Sequence, residues 1–177
     1  MKKMIVLTFE IDHENFKISP QIRNIDKENS LHEKYKYIGC DLVDCKDFDI
    51  DGKTFTVWFD DEFLLKGRAV PTMLLNEDGY KTILCNNLLF TGFTNEGEER
   101  GLKLDEVHKI IDYIYNTRQE LMNEVHAMMR QEGKPPATAP TGTAAGGLYK
   151  IAPLTRGIWK NPIMSLQYVI IYDNILL

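Results

Sequence analysis

Apolar residues recur at every second position through much of the first half of the chain, and at steps of three and four later on, so the pattern predicts strands followed by a helix. Met4 to Ile11, MIVLTFEI, is β-branched, aromatic and continuously apolar in its first half, which predicts a well-buried strand. His13 to Asn29 is polar and contains Ser19-Pro20, so it reads as a connection. Ser30 then stands as the N-cap of a short helix through Leu31, Tyr35 and Ile38, with Glu33 completing a capping box.

Cys40 to Phe48 and Lys53 to Asp60 read as a hairpin closed by Asp51-Gly52, a pair suited to the positive φ angles of a tight turn. In its second strand Phe55, Val57 and Phe59 share one face, and Thr54, Thr56 and Trp58 the other. In its first, Leu42, Asp44, Lys46 and Phe48 alternate with Asp41, Val43, Cys45 and Asp47, which spreads the acids over both faces. Pro71 makes Arg68 to Leu75 an edge strand or an extended segment, because proline gives no N–H to a ladder. Lys81 to Cys85 and Leu88 to Phe93 follow as short strands, and Asn95 to Gly101 as a charged loop.

From Leu102 to about Gln131 the seam Leu104, Val107, Ile111, Ile114, Leu121, Val125 and Met128 predicts one amphipathic helix, interrupted only by Arg118. Such a helix is about 40 Å long. Its seam either lies across the chain's own sheet or pairs with a second copy in a homodimer. Residues 133–147, GKPPATAPTGTAAGG, have the composition of a flexible linker. The last stretch, 148–177, ends in SLQYVIIYDNILL, a β-prone run expected to dock on a sheet edge of its own subunit or of a neighbour. The expected fold is therefore α+β: a small, mostly antiparallel sheet with one short helix (1–101), one long helix (102–132), a linker and a strand-like tail.

Composition changes this picture through charge. The formal net charge is -5, which argues against non-specific nucleic-acid binding. Gly39 to Glu62 holds eight acids against two bases, a local net of -6, so the rest of the chain is close to neutral. Cys40, Cys45 and Cys85 lack the spacing of a zinc site or a redox pair and read as buried, reduced thiols. Lys2 and Lys3 precede an apolar run too short for a signal peptide, and no stretch is apolar enough to span a bilayer, so a cytoplasmic location is expected.

Candidate chemistry is sparse. Asp47-x-Asp49-x-Asp51-Gly52 matches the first half of a calcium loop, but Trp58 stands where the loop needs a bidentate Glu, and the flanks read as strands. Asp105, His108 and Asp112 share a helical face by their spacing, and a solvated face explains them better than a base or a metal site does. No phosphate loop, nucleophile elbow or zinc-protease motif is present, so neither catalytic residues, metal nor cofactor are expected.

The order Leu31, Tyr37-Ile38-Gly39-Cys40-Asp41, Val57-Trp58-Phe59-Asp60-Asp61-Glu62, Pro71, Leu89-Phe90-Thr91-Gly92-Phe93 and a helix opening at Leu104 resembles a small uncharacterised domain. That domain recurs in phage, plasmid and integrated-element proteins of Gram-positive gut bacteria. The resemblance spans about residues 30–114 and implies an accessory gene of a mobile element; its motifs are turn glycines and strand edges, which carry no active site. The resulting expectation is a non-enzymatic inhibitor of a host defence effector, anti-CRISPR-like. It would bind a nucleic-acid-binding nuclease through Asp47, Asp49, Asp51, Asp60, Asp61 and Glu62. The alternative is a sponge for a small ligand or signal nucleotide, with Lys66, Arg68 and Trp58 as candidate contacts.

Overall fold

The computed structural model describes residues 2–132 except His13, Asn15, Phe16, Leu64, Gly67, Arg68, Asp78 and Asn95. The expected linker and docking tail lie outside the described residues. The main sheet has the order β2-β1-β7-β4-β3, formed by Lys17–Asp26 (β2), Lys3–Asp12 (β1), Leu88–Phe93 (β7), Lys53–Asp60 (β4) and Val43–Ile50 (β3). The short Glu99–Arg100 (β8) also pairs with β7. Every described pairing is antiparallel. Pro71–Glu77 (β5) and Tyr80–Cys85 (β6) form a separate two-stranded sheet.

The middle strand explains itself. Leu88, Leu89, Phe90 and Thr91 are all buried, as a strand covered on both faces requires. Phe90 joins Leu7, Phe9, Phe48, Phe55, Val57 and Phe59 on one face, against which Val107, Ile110 and Ile114 of Leu104–Asn116 (α2) pack. Leu89 turns to the other face, where Met4, Val6, Ile25 and Trp58 meet Ile38 of Ser30–Ile38 (α1). The sheet thus lies between two helices, with α1 ended by Gly39 in the left-handed region at φ 79°. Where the chain passes from β8 to α2, a Cβ on Gly101 would lie 2.8 Å from the backbone nitrogen of Ile5, a contact that no side-chain movement relieves.

Three expectations are corrected. His13 to Asn29 holds the strand β2, whose ten residues pair with β1 throughout. Pro20 sits there opposite Phe9 on the outermost strand, where its missing N–H breaks no ladder. Ser30 is not the N-cap: that position is Asn29, Asp26 caps the preceding 3-10 turn Lys27–Asn29, and the Ser30 hydroxyl bonds Glu99 instead. The long helix is two, α2 and Arg118–Glu132 (α3), parted at Thr117. The Thr117 side chain bonds back to the Tyr113 carbonyl at 2.8 Å, a competition with the helix ladder that favours a break.

The break lets the two halves pack against different clusters of the core. Val107, Ile110 and Ile114 of α2 pack in the core that the main sheet shares with Met73, Leu75 and Leu84 of the small one, whereas Leu121 and Val125 of α3 pack on Leu74 and Ile83 of the small sheet. Arg118, the polar interruption of the seam, donates from Nη1 to the Pro71 carbonyl at 3.2 Å. Lys81 of β6 clasps Glu120 and Glu124 of α3, and these bonds raise its pKa. Much of the seam that offered a dimer surface is therefore buried against the chain's own strands.

Candidate functional site

The acid-rich hairpin β3–β4 turns at Asp51 (φ 51°) and Gly52 (φ 74°), the two positive angles of the tight turn that matches strand twist. A two-residue loop fixes the parity of every backbone bond behind it. Ile50 faces Lys53, so Phe48, Lys46 and Asp44 turn their N–H and C=O groups toward β4. Asp49, Asp47 and Cys45 turn theirs outward, away from the sheet. Two bonds report the same parity: Asp61 N–H donates to the Leu42 carbonyl at the far end, and the outward N–H of Cys45 is taken up by Asp44 Oδ1 at 2.7 Å.

The carboxylates have unequal fates. Asp47 and Asp49 project from one face of the exposed edge, where they accept hydroxyl hydrogens from Thr56 and Thr54 across the ladder, at 2.5 and 2.6 Å. These bonds hold each carboxylate in one direction and leave its second oxygen for a partner. Asp51 at the turn accepts from Lys109 of α2 at 3.1 Å. Asp60, by contrast, is only 4% exposed: Oδ1 accepts the Glu62 N–H at 3.0 Å and Oδ2 pairs with Lys66 at 2.7 Å. Asp60 is thus withdrawn from the set of partner-binding acids, because its carboxylate closes its own turn. Asp61 is exposed and Glu62 half-buried at that same end. The structure places Asp47 and Asp49 together on one face of β3, draws the Asp51 carboxylate at the turn to Lys109 of α2, and keeps Asp61 and Glu62 at the opposite end of the hairpin.

Beside the Asp47–Asp49 edge lies a cleft of about 410 Å³, lined by Phe48, Thr54, Leu75, Asn76 and Tyr113. Phe48 and Tyr113 pack ring to ring at 5.9 Å, and the Tyr113 hydroxyl donates to the Leu74 carbonyl. The cleft therefore has an acidic, hydrogen-bonding wall on β3 and an apolar floor.

Two ion pairs, each with one buried and one partly exposed member, support this region, and neither is legible in the sequence. Lys34 is 2% exposed, with Nζ 3.5 Å from the centre of the Trp58 ring and 2.6 Å from Glu99. Its signal was position: with Leu31, Tyr35 and Ile38 it completes the apolar stripe of α1, where a lysine needs a partner. The Trp58 Nε1–H in turn donates to Thr91 at 2.9 Å. On the other face Arg100 grips Glu106 through two bonds of 2.7 and 2.9 Å, and Glu106 also accepts the Lys103 N–H. The Arg100 bonds hold the Glu106 pKa down at about 2.

Asp105, His108 and Asp112 are exposed on α2, and no cluster of metal-ligating residues occurs among the described residues. Burial pushes the Cys40 thiol up to about 11 and the Cys85 thiol to about 12, so both are protonated at neutral pH, whereas Cys45, expected to be buried, is exposed on β3. Of the proposed ligand contacts, Lys66 is paired to Asp60 and Trp58 lies beneath Lys34, while Arg68 lies outside the described residues. No helix among the described residues is long and apolar enough to cross a membrane.

A family model described as "Domain of unknown function (DUF3846)" matches residues 8–115. The chain belongs to the DUF3846 family. The match contains the resemblance noted over 30–114 and extends it back into β1. The DUF3846 unit here runs from the second half of β1 to the last turn of α2, so it includes the acidic hairpin, the small sheet and the cleft, and it stops just before the Thr117 break. No curated protein and no solved structure matches this chain.

Proposed function

We propose that this DUF3846 protein is a non-enzymatic binding protein of a mobile element, an anti-CRISPR-like inhibitor that holds a basic surface of a host nuclease. The observation that carries the reading is the orientation of Asp47 and Asp49, fixed by Thr56 and Thr54 on an exposed outer strand. Carboxylates held in this way lose little side-chain freedom on meeting Lys or Arg, which favours partner selection and fast encounter. The resemblance to domains of phage and integrated elements supplies the setting. Asp51 extends the patch, and Asp61 with Glu62 forms a second contact at the far end.

Pull-down against a panel of defence nucleases tests it. Asp47→Asn, Asp49→Asn and Asp51→Asn combined are expected to weaken capture at least about tenfold. Asp61→Asn is expected to have a smaller effect, because it lies apart. Capture unchanged by the triple substitution would refute the acidic-surface reading.

A specific observation also favours the sponge reading. Gly52, Lys53, Thr54, Thr94, Arg100 and Lys103 line a depression of about 640 Å³, a size that accepts a nucleotide. Its positive charge is partly spent, since Arg100 is bound to Glu106 and Lys53 stands 3.6 Å from it. A ligand that binds here should raise the melting temperature in a thermal-shift screen of nucleotides, and the Lys53→Ser, Lys103→Ser variant should lose that shift. A flat response across the screen counts against the sponge.

A further inference from the structure

The outward backbone groups of Asp47 and Asp49 and the fixed carboxylates of the same residues belong to one strand at the edge of the described sheet, beside a cleft whose apolar side is formed by Phe48, Leu75 and Tyr113. No described residue bonds the outward N–H or C=O of either aspartate, whereas the next outward N–H, that of Cys45, is closed off by Asp44. The open stretch is therefore short and has a defined register. A native edge strand is ordinarily blunted by charge against chance pairing. Here the charges are themselves oriented, and the acids that repel most strands select one kind.

We infer that β3 accepts an extended segment of a partner protein as an added antiparallel strand, with the residue order basic–apolar–basic. This rests on the proposed acidic binding surface and deepens it by naming the docking mode. Strand alternation dictates the order. Residues opposite Asp47 and Asp49 exchange N–H and C=O bonds with them and put their side chains on the carboxylate face, where Lys or Arg fits. The residue between them lies opposite Phe48 and projects to the other face, toward Leu75 and Tyr113. An aliphatic side chain fits that floor. Backbone bonds supply affinity that any extended peptide could share, and the carboxylates with the cleft supply the choice of sequence.

The test is a titration of the full chain with a short acetylated and amidated peptide bearing Lys-Val-Arg between threonines, read by amide hydrogen exchange. In the free chain the Asp47 and Asp49 amides should exchange rapidly, and bound peptide should slow both at least about tenfold. Amides already protected in the free chain would mean that its own residues 133–177 occupy the edge. Protection that rises with protein concentration alone would mean that a second copy does. Either result overturns the inference. A peptide N-methylated at Lys and Arg should bind at least about tenfold more weakly, since it keeps the charge and loses the ladder. If N-methylation changes nothing while Asp47→Asn with Asp49→Asn abolishes binding, strand addition is wrong and the acidic-surface reading survives. If the Asn pair changes nothing, both fail.

Discussion

Glu106→Gln is expected to lower the unfolding free energy by about 3 kcal/mol at neutral pH. The residue is 1% exposed and receives both the paired bonds of Arg100 and the Lys103 N–H, so the amide leaves a guanidinium poorly matched beside the sheet end. The acid limb should change as well. The Glu106 pKa is depressed in the folded state to about 2 from 4.5, so its contribution is fully present above about pH 4.5 and is lost as pH falls toward 2. The wild-type chain should therefore lose stability across that window. The Gln variant should start lower and show a shallower slope there, as measured by urea denaturation at stepped pH. Equal slopes for the two proteins would show that Glu106 has the same pKa folded and unfolded.

Lys34→Met is the second large effect, expected at about 2–4 kcal/mol. The substitution keeps the aliphatic length under α1 but removes the ammonium from above the Trp58 ring and from beside Glu99, whose side chain is 19% exposed. Most of the loss comes from the carboxylate left without its cation, with about 1–2 kcal/mol from the cation–π contact. Lys34→Met combined with Glu99→Gln should recover much of the stability lost in the single variant, because no uncompensated charge remains. A double variant as unstable as the sum of the two singles would show that the pair is not coupled. The consequence reaches the candidate site, since Trp58 pairs with Cys45 of β3 and donates to Thr91 on the face that carries Asp47 and Thr56.

Both ion pairs escaped the sequence for the same reason. Glu99, Arg100 and Glu106 sit in a charged stretch that reads as a solvated loop and helix start, and nothing local says that β8 will bring Arg100 against the first turn of α2. Lys34 is an ordinary helix lysine until the opposite face of the sheet is in place. β2 escaped through its proline: the edge position that tolerates Pro20 exists only once β1 has a neighbour on each side. The helix break at Thr117 was legible only as Arg118 in an apolar seam, a clue that gains meaning when Pro71 supplies the acceptor.

By itself the sequence determined the hairpin and its turn, the strands at Met4 to Ile11 and Leu88 to Phe93, the helical character of the stretch after Leu102 and the concentration of acid between Gly39 and Glu62. Those are local properties, set by the two-residue and 3.6-residue periods and by the backbone freedom of Asp51-Gly52. The tertiary structure alone decided which acids face outward. It buried Asp60 against Lys66, fixed Asp47 and Asp49 with threonines from the neighbouring strand, and left β3 at the edge of the sheet formed by the described residues, beside the cleft of Phe48, Leu75 and Tyr113. Burial and pairing depend on residues far apart in the chain, and strand order is a property of the whole sheet, so no reading of neighbours could supply them.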